Sequence, residues 1–187
     1  MKLRLFSLIL ALTLAPLFAP GVARAQLNLP DTEFLEFVKA GKAEDVRRSL
    51  IRGQSPNTSD STGRNAVMVA AAAGHVDIIQ ILADNKANIR VKDKQGRTAL
   101  YWAAAAGQEE AVEALIKLGA PASDPDRQGT SPLMVAARRG FAGVVRQLLA
   151  AKADVNATDH TGRTALMWSQ ESRNVQVPKL LKEAGAR

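Results

Sequence analysis

Apolar residues in this chain fall into two alternating kinds of segment. The first is short and built of small residues. It opens on Asn65, Thr98, Ser131 or Thr164, contains the pairs Ala70-Ala71, Ala103-Ala104 and Ala136-Ala137, and stops at Gly74, Gly107 or Gly140. The second carries branched apolar residues at helical spacing, as in Val76-Asp77-Ile78-Ile79-Gln80-Ile81-Leu82, and holds Leu82, Leu115, Leu148 and Leu181 in one register. Apolar positions recurring every three to four residues predict amphipathic helices. An Asn, Thr or Ser at the opening offers an oxygen to an orphan backbone N–H of the first turn, and a closing glycine can take the left-handed conformation that ends the helix. The paired alanines let neighbouring helices approach closely. The predicted unit is a short helix, a turn, a second helix and an extended finger.

The unit recurs. Asp60, Asp93, Asp126 and Asp159 are 33 residues apart, and each is followed three positions later by Gly63, Gly96, Gly129 or Gly162, which supplies the positive φ of a tight turn. Ala87, Ala120, Ala153 and Ala186 share a further register. One such unit cannot bury its own apolar face, so stability must come from stacking on its neighbours.

The stretch from Asp126 to Asp159 resembles the ankyrin repeat, whose signature is a D-x-x-G-x-T-P-L-x-x-A-A-x-x-G-H core with a later G-A-D-V-N. The match runs through Gly129, Ser131-Pro132-Leu133, Ala136-Ala137, Gly140 and Ala153-Asp154-Val155-Asn156. The resemblance implies an all-α solenoid of helix-turn-helix units with extended or β-hairpin fingers. Five units are expected: a degenerate N-terminal cap at 26–59, with Asn57 in the finger-asparagine register, then 60–92, 93–125 and 126–158, and a C-terminal cap at 159–187. In that last unit Ser169-Gln170 replaces the alanine pair and Arg173 the helix-ending glycine, as suits an outer face that meets water. Pro178 is tolerated only in a first turn, which places the start of the last helix near Val177. Pro121 and Pro125 remove two backbone donors from one finger and leave its shape open.

Composition adds a second layer. The 187 residues are 47% hydrophobic and 23% charged, with no cysteine and two histidines, which excludes disulfides, thiol nucleophiles and thiolate metal cages. Residues 1–25 are expected to be a signal peptide: Lys2 and Arg4 precede an apolar stretch from Leu5 to Phe18, and Ala23-Arg24-Ala25 is an A-x-A cleavage site. The apolar stretch is short of the roughly 20 residues that span a bilayer, so no stable membrane insertion of the mature chain is expected. A mature chain starting at Gln26 would be periplasmic or secreted. It would retain 22 Lys and Arg against 18 Asp and Glu, an excess too small to argue for nucleic acid.

Catalytic chemistry finds little support. His75 follows Gly74 where ankyrin units carry a structural histidine, and His160 sits at a finger tip without a second ligand nearby. Adjacent Glu109 and Glu110 diverge on a helix. No nucleophile elbow, phosphate-binding loop or paired-histidine zinc motif occurs. No catalytic residue, metal or cofactor is expected. Trp102 and Trp168 share a column with Val69 and Val135, which points to core packing rather than recognition, while Tyr101 shares its column with Met68, Met134 and Met167 and fits either interior or groove.

Charge placement is the main functional signal. The resemblance implies that partners meet the finger-tip positions one, two and four after each repeat aspartate and the two residues closing each first helix. Of those twenty positions seven are basic, Arg64, Lys94, Arg97, Arg127, Arg138, Arg139 and Arg163, and one is acidic, Glu171. With Tyr101 these seven form the expected partner-binding set, and adjacent Arg138 and Arg139 are expected to clamp a carboxylate or phosphate. The expected function is that of a monomeric, non-enzymatic interaction module whose basic concave groove binds an acidic protein surface. An immunity or inhibitor protein blocking a toxin enzyme such as a lipase is the alternative.

Overall fold

The computed structural model describes residues 31–187; the expected signal peptide, its cleavage site and the start of the first unit lie outside the described residues. Helices follow one another in pairs: α1 (Asp31–Lys39) and α2 (Ala43–Ile51), α3 (Ala66–Ala73) and α4 (Val76–Asp84), α5 (Ala99–Ala106) and α6 (Glu109–Lys117), α7 (Pro132–Arg139) and α8 (Ala142–Ala150), α9 (Ala165–Ser169) and α10 (Gln176–Glu183). The first helices of successive pairs pack on one another as one layer, α1 on α3, α3 on α5, α5 on α7 and α7 on α9, and the second helices form a parallel layer. The fold is an all-α solenoid. None of the described helices is long and apolar enough to cross a membrane.

The core lies between and within these layers. Both alanines of each pair in α3, α5 and α7 are fully buried, as are Leu82, Leu115, Leu148 and Leu181 of the outer helices. Small residues let first helices approach, and leucines fill the space behind them. Each first helix of the four C-terminal pairs opens with the expected cap, Asn65, Thr98, Ser131 and Thr164 accepting the backbone N–H of Met68, Tyr101, Met134 and Met167. Gly74, Gly107 and Gly140 close α3, α5 and α7 with φ between +74° and +79°. A side chain there would also strike the next unit, since an added Cβ would lie 2.6 Å from Gln108, 2.9 Å from Phe141 and 2.9 Å from Asn174 respectively.

The last pair departs from this plan. The first helix there, α9, has five residues and ends on right-handed Gln170, and α10 begins at Gln176, one residue before the expected start, with Pro178 in its first turn. Ser169 does not meet water as its polarity suggests. It is buried, because its hydroxyl donates to the Leu166 carbonyl at 2.6 Å and needs no solvent. Exposed Gln170 and Met167 form the wet outer face instead.

Fingers are extended, with single antiparallel bridges at Ser59–Asn65 and Thr158–Thr164 and no strand among the described residues. In the first finger the Ala66 N–H donates to the Thr58 carbonyl. Pro132 holds that position in the third finger and has no N–H, so the corresponding bond cannot form. The tip of the same finger is intact, with the Asp126 N–H donating to the Thr130 carbonyl at 3.0 Å.

Candidate functional site

The finger turns are organised by their aspartates. In each, one carboxylate oxygen accepts the backbone N–H groups two and four residues on: Thr62 and Arg64 at Asp60, Gln95 and Arg97 at Asp93, Gln128 and Thr130 at Asp126, Thr161 and Arg163 at Asp159. The turn then docks on its neighbour. Lys94, Arg127 and His160 donate their backbone N–H to the carbonyls of Thr62, Gln95 and Gln128, at 3.1, 2.8 and 2.9 Å. The tips therefore form a ladder, and side chains at equivalent tip positions stand in a row.

The second carboxylate oxygen is used differently in each unit. Asp60 takes Arg64 Nε at 3.0 Å. Asp93 takes Arg97 Nε at 2.9 Å and the Trp102 indole N–H at 3.1 Å. Asp159 takes the Trp168 indole N–H at 2.9 Å, with Arg163 Nε at 3.5 Å. Burial alone would raise Asp159 and Asp60, but hydroxyl, backbone and side-chain donors outweigh it and hold both at about 2. Asp126, whose unit carries Val135 instead of tryptophan, faces the Tyr101 phenol, which burial and that carboxylate push up to about 12.

The indoles gather the arginines. Arg64 and Arg97 lie over the Trp102 ring with guanidinium carbons 5.0 and 4.2 Å from its centroid, and Arg138 and Arg163 lie over Trp168 at 4.6 and 3.6 Å. Such contacts contribute about 0.5–2 kcal/mol each, more when desolvated. Tyr101 joins the two clusters, because Arg97 and Arg138 both act on its phenol. The two stacks, with Tyr101 near both, make an array of Arg64, Trp102, Arg97, Tyr101, Arg138, Trp168 and Arg163. The structure brings together five of the eight expected partner-binding residues on it, while Lys94 and Arg127 stand in the tip row beside it and exposed Arg139 closes α7.

Trp168 is buried, but Trp102 is only half-buried and lines a shallow hollow with Thr62, Arg64, Gln95 and Arg97. It packs against the core on one side, and its indole N–H is tied to Asp93, a bond that its valine counterparts cannot make. Arg138 shares the Trp168 ring with Arg163, and Arg139 beside it is exposed. The charge of the surface is also less uniform than the basic positions suggest. Arg64, Arg97 and Arg163 are ion-paired to their own repeat aspartates, and Arg163 Nη1 also reaches Glu171 at 2.9 Å. Lys94, Arg127, Arg138 and Arg139 have no ion-pair partner among the described residues.

The arginine–indole stacks were missed from sequence, although a signal for them existed: in two units an arginine stands four, and a tryptophan nine, residues after the aspartate. His75 packs against Gly41 with Nε2 3.1 Å from the Lys39 carbonyl, a structural position, and His160 lies exposed at the last tip. No cluster of three or more His, Asp or Glu residues able to hold a metal occurs among the described residues.

A family model described as "Ankyrin repeats (3 copies)" matches residues 35–128 and 118–187. With helix pairs, aspartate turns and stacked fingers throughout the described residues, the chain belongs to the ankyrin-repeat family.

Proposed function

We propose that this chain is an exported, non-enzymatic interaction module that binds an acidic surface of a partner protein through the arginine-lined face and the finger-tip row. Ankyrin repeats serve as protein-interaction scaffolds, which supplies the general activity. The observation that carries the charge preference is a set of cations without an ion-pair partner among the described residues, Lys94, Arg127, Arg138 and Arg139, next to arginines already neutralised by aspartates. Unpaired cations steer an oppositely charged partner and are screened by salt. Export rests on the basic, apolar and small-residue order of residues 1–25, and predicts a mature chain starting at Gln26.

The test uses the exported protein, whose N-terminus is sequenced, in pull-downs from an envelope extract. Arg127→Glu with Arg139→Glu should lower capture of acidic proteins about tenfold at low salt, as should about 0.5 M salt with the unmodified chain. Neither substitution touches the core. Capture unaffected by both changes refutes the charge preference, and an N-terminus that retains residues 1–25 refutes export.

A further inference from the structure

The aspartate–arginine–tryptophan arrangement occurs twice, and its two copies differ in what meets the arginine's terminal nitrogens. In each, the aspartate accepts the indole N–H and ion-pairs with arginine Nε, at 2.9 Å for Arg97 and 3.5 Å for Arg163, whose Nε also donates to Thr161 Oγ1, and the guanidinium lies over the ring. At Trp168 the chain supplies the next partner itself: Glu171, twelve residues after Asp159, accepts from Arg163 Nη1 at 2.9 Å. Twelve residues after Asp93 stands Ala105, which has no group to offer. Arg97 Nη2 reaches only the neutral Gln95 side chain at 2.9 Å, and Arg97 Nη1 and both terminal nitrogens of Arg64 have no hydrogen-bond partner among the described residues. These two guanidiniums and the half-buried indole line the open hollow with Thr62 and Gln95.

We infer that the Trp102 hollow is a carboxylate-binding site: it receives an Asp or Glu side chain of the partner protein in the role that Glu171 plays at Trp168. This rests on the proposed function and gives it a point of contact. The physical case is preorganisation. Arg64 and Arg97 are held by ion pairs and by the shared ring before a ligand arrives, so little side-chain freedom remains to be lost, and terminal guanidinium nitrogens offer charge-assisted hydrogen bonds to a carboxylate. The tip cations Lys94 and Arg127 add attraction at longer range but no comparable cradle.

The two tryptophans permit a site-resolved test. Protein labelled with 5-fluorotryptophan is titrated with a terminally blocked hexaglutamate peptide and, separately, with acetate at equal carboxylate concentration, and the two fluorine resonances are followed. The Trp102 resonance should shift saturably with the peptide and far less with acetate, while Trp168 stays in place. Ala105→Glu, which supplies the missing internal carboxylate, should weaken the Trp102 response about tenfold. Glu171→Ala, at an exposed position, should make Trp168 responsive and keeps the test available should Ala105→Glu fold poorly. Peptide binding seen by calorimetry without movement of Trp102, or a Trp168 that stays silent in Glu171→Ala, overturns this site and leaves the acidic-partner reading standing. An equal response to acetate marks a site for free anions and also overturns it. No peptide binding at all, even at low salt, overturns both.

Discussion

Each repeat aspartate divides its work between two oxygens, and this division explains why one residue type serves both fold and surface. One oxygen closes the finger turn through two backbone N–H groups, while the other selects an arginine, an indole or a phenol. Asp159 accepts from the Thr161 hydroxyl, two backbone N–H groups and the Trp168 indole, which hold its pKa at about 2. Because this value lies below that of an unfolded aspartate, its contribution to stability is complete above about pH 4 and is lost as pH falls through 2. Asp159→Asn should therefore destabilise the protein at neutral pH by about 2 kcal/mol, through loss of the charge that the donors favour. Urea unfolding at pH 7 and at pH 2.5 measures this, and the difference between the two proteins should shrink at the lower pH. A difference of constant size would show that geometry, not ionisation, sets the effect.

Between neighbouring units, the fingers behave as a second stacked layer rather than as loose loops. Gly129 and Gly162 provide a direct comparison, since their φ values are +79° and +80° and any side chain meets the same backbone strain at both. Their surroundings differ. A Cβ on Gly129 would lie 2.9 Å from the His160 ring and 3.0 Å from the Asp159 Cα, whereas among the described residues nothing lies within 4 Å of one on Gly162. Gly162→Ala is expected to cost about 1 kcal/mol from the left-handed conformation. Gly129→Ala should cost at least about 1 kcal/mol more, because the next finger must shift. Equal losses in thermal unfolding would mean that the ladder of tip hydrogen bonds contributes nothing to docking.

For the array as a whole, stability is distributed along a line, and position along that line matters as much as burial. Leu115 and Leu181 are both fully buried in the same register, one in the middle of the stack and one in its last helix. Truncating either to alanine removes similar contacts, about 2–5 kcal/mol by the usual cost of such cavities. The consequences should differ. Leu115→Ala weakens units on both sides and should raise amide exchange from α3 to α8, while Leu181→Ala should raise it mainly in α9 and α10. Exchange that rises evenly in both variants would indicate a single cooperative block instead of nearest-neighbour coupling. The same linear layout makes the proposed binding face, since stacking brings arginines from successive units onto shared tryptophan rings.

The helices, their caps and stops, and the stacking of units were legible in the residues because each depends on chemistry within one repeat: an oxygen at Asn65 or Thr98, a glycine at Gly74 or Gly107, alanines and leucines at helical spacing. Even the late start of α10 followed from Pro178 alone. The basic residues of the candidate site were also visible, but not their state. Whether Arg97 is free or bound to Asp93, whether Arg138 meets Arg139 or Trp168, and whether Trp102 is core or surface depend on which of several side chains, four or nine residues away or in different units, lies within reach. Repeat spacing specifies which positions are equivalent; only packing in three dimensions determines which neighbour each side chain meets, because a long arginine at one register can reach several partners and the nearest carboxylate or ring takes it.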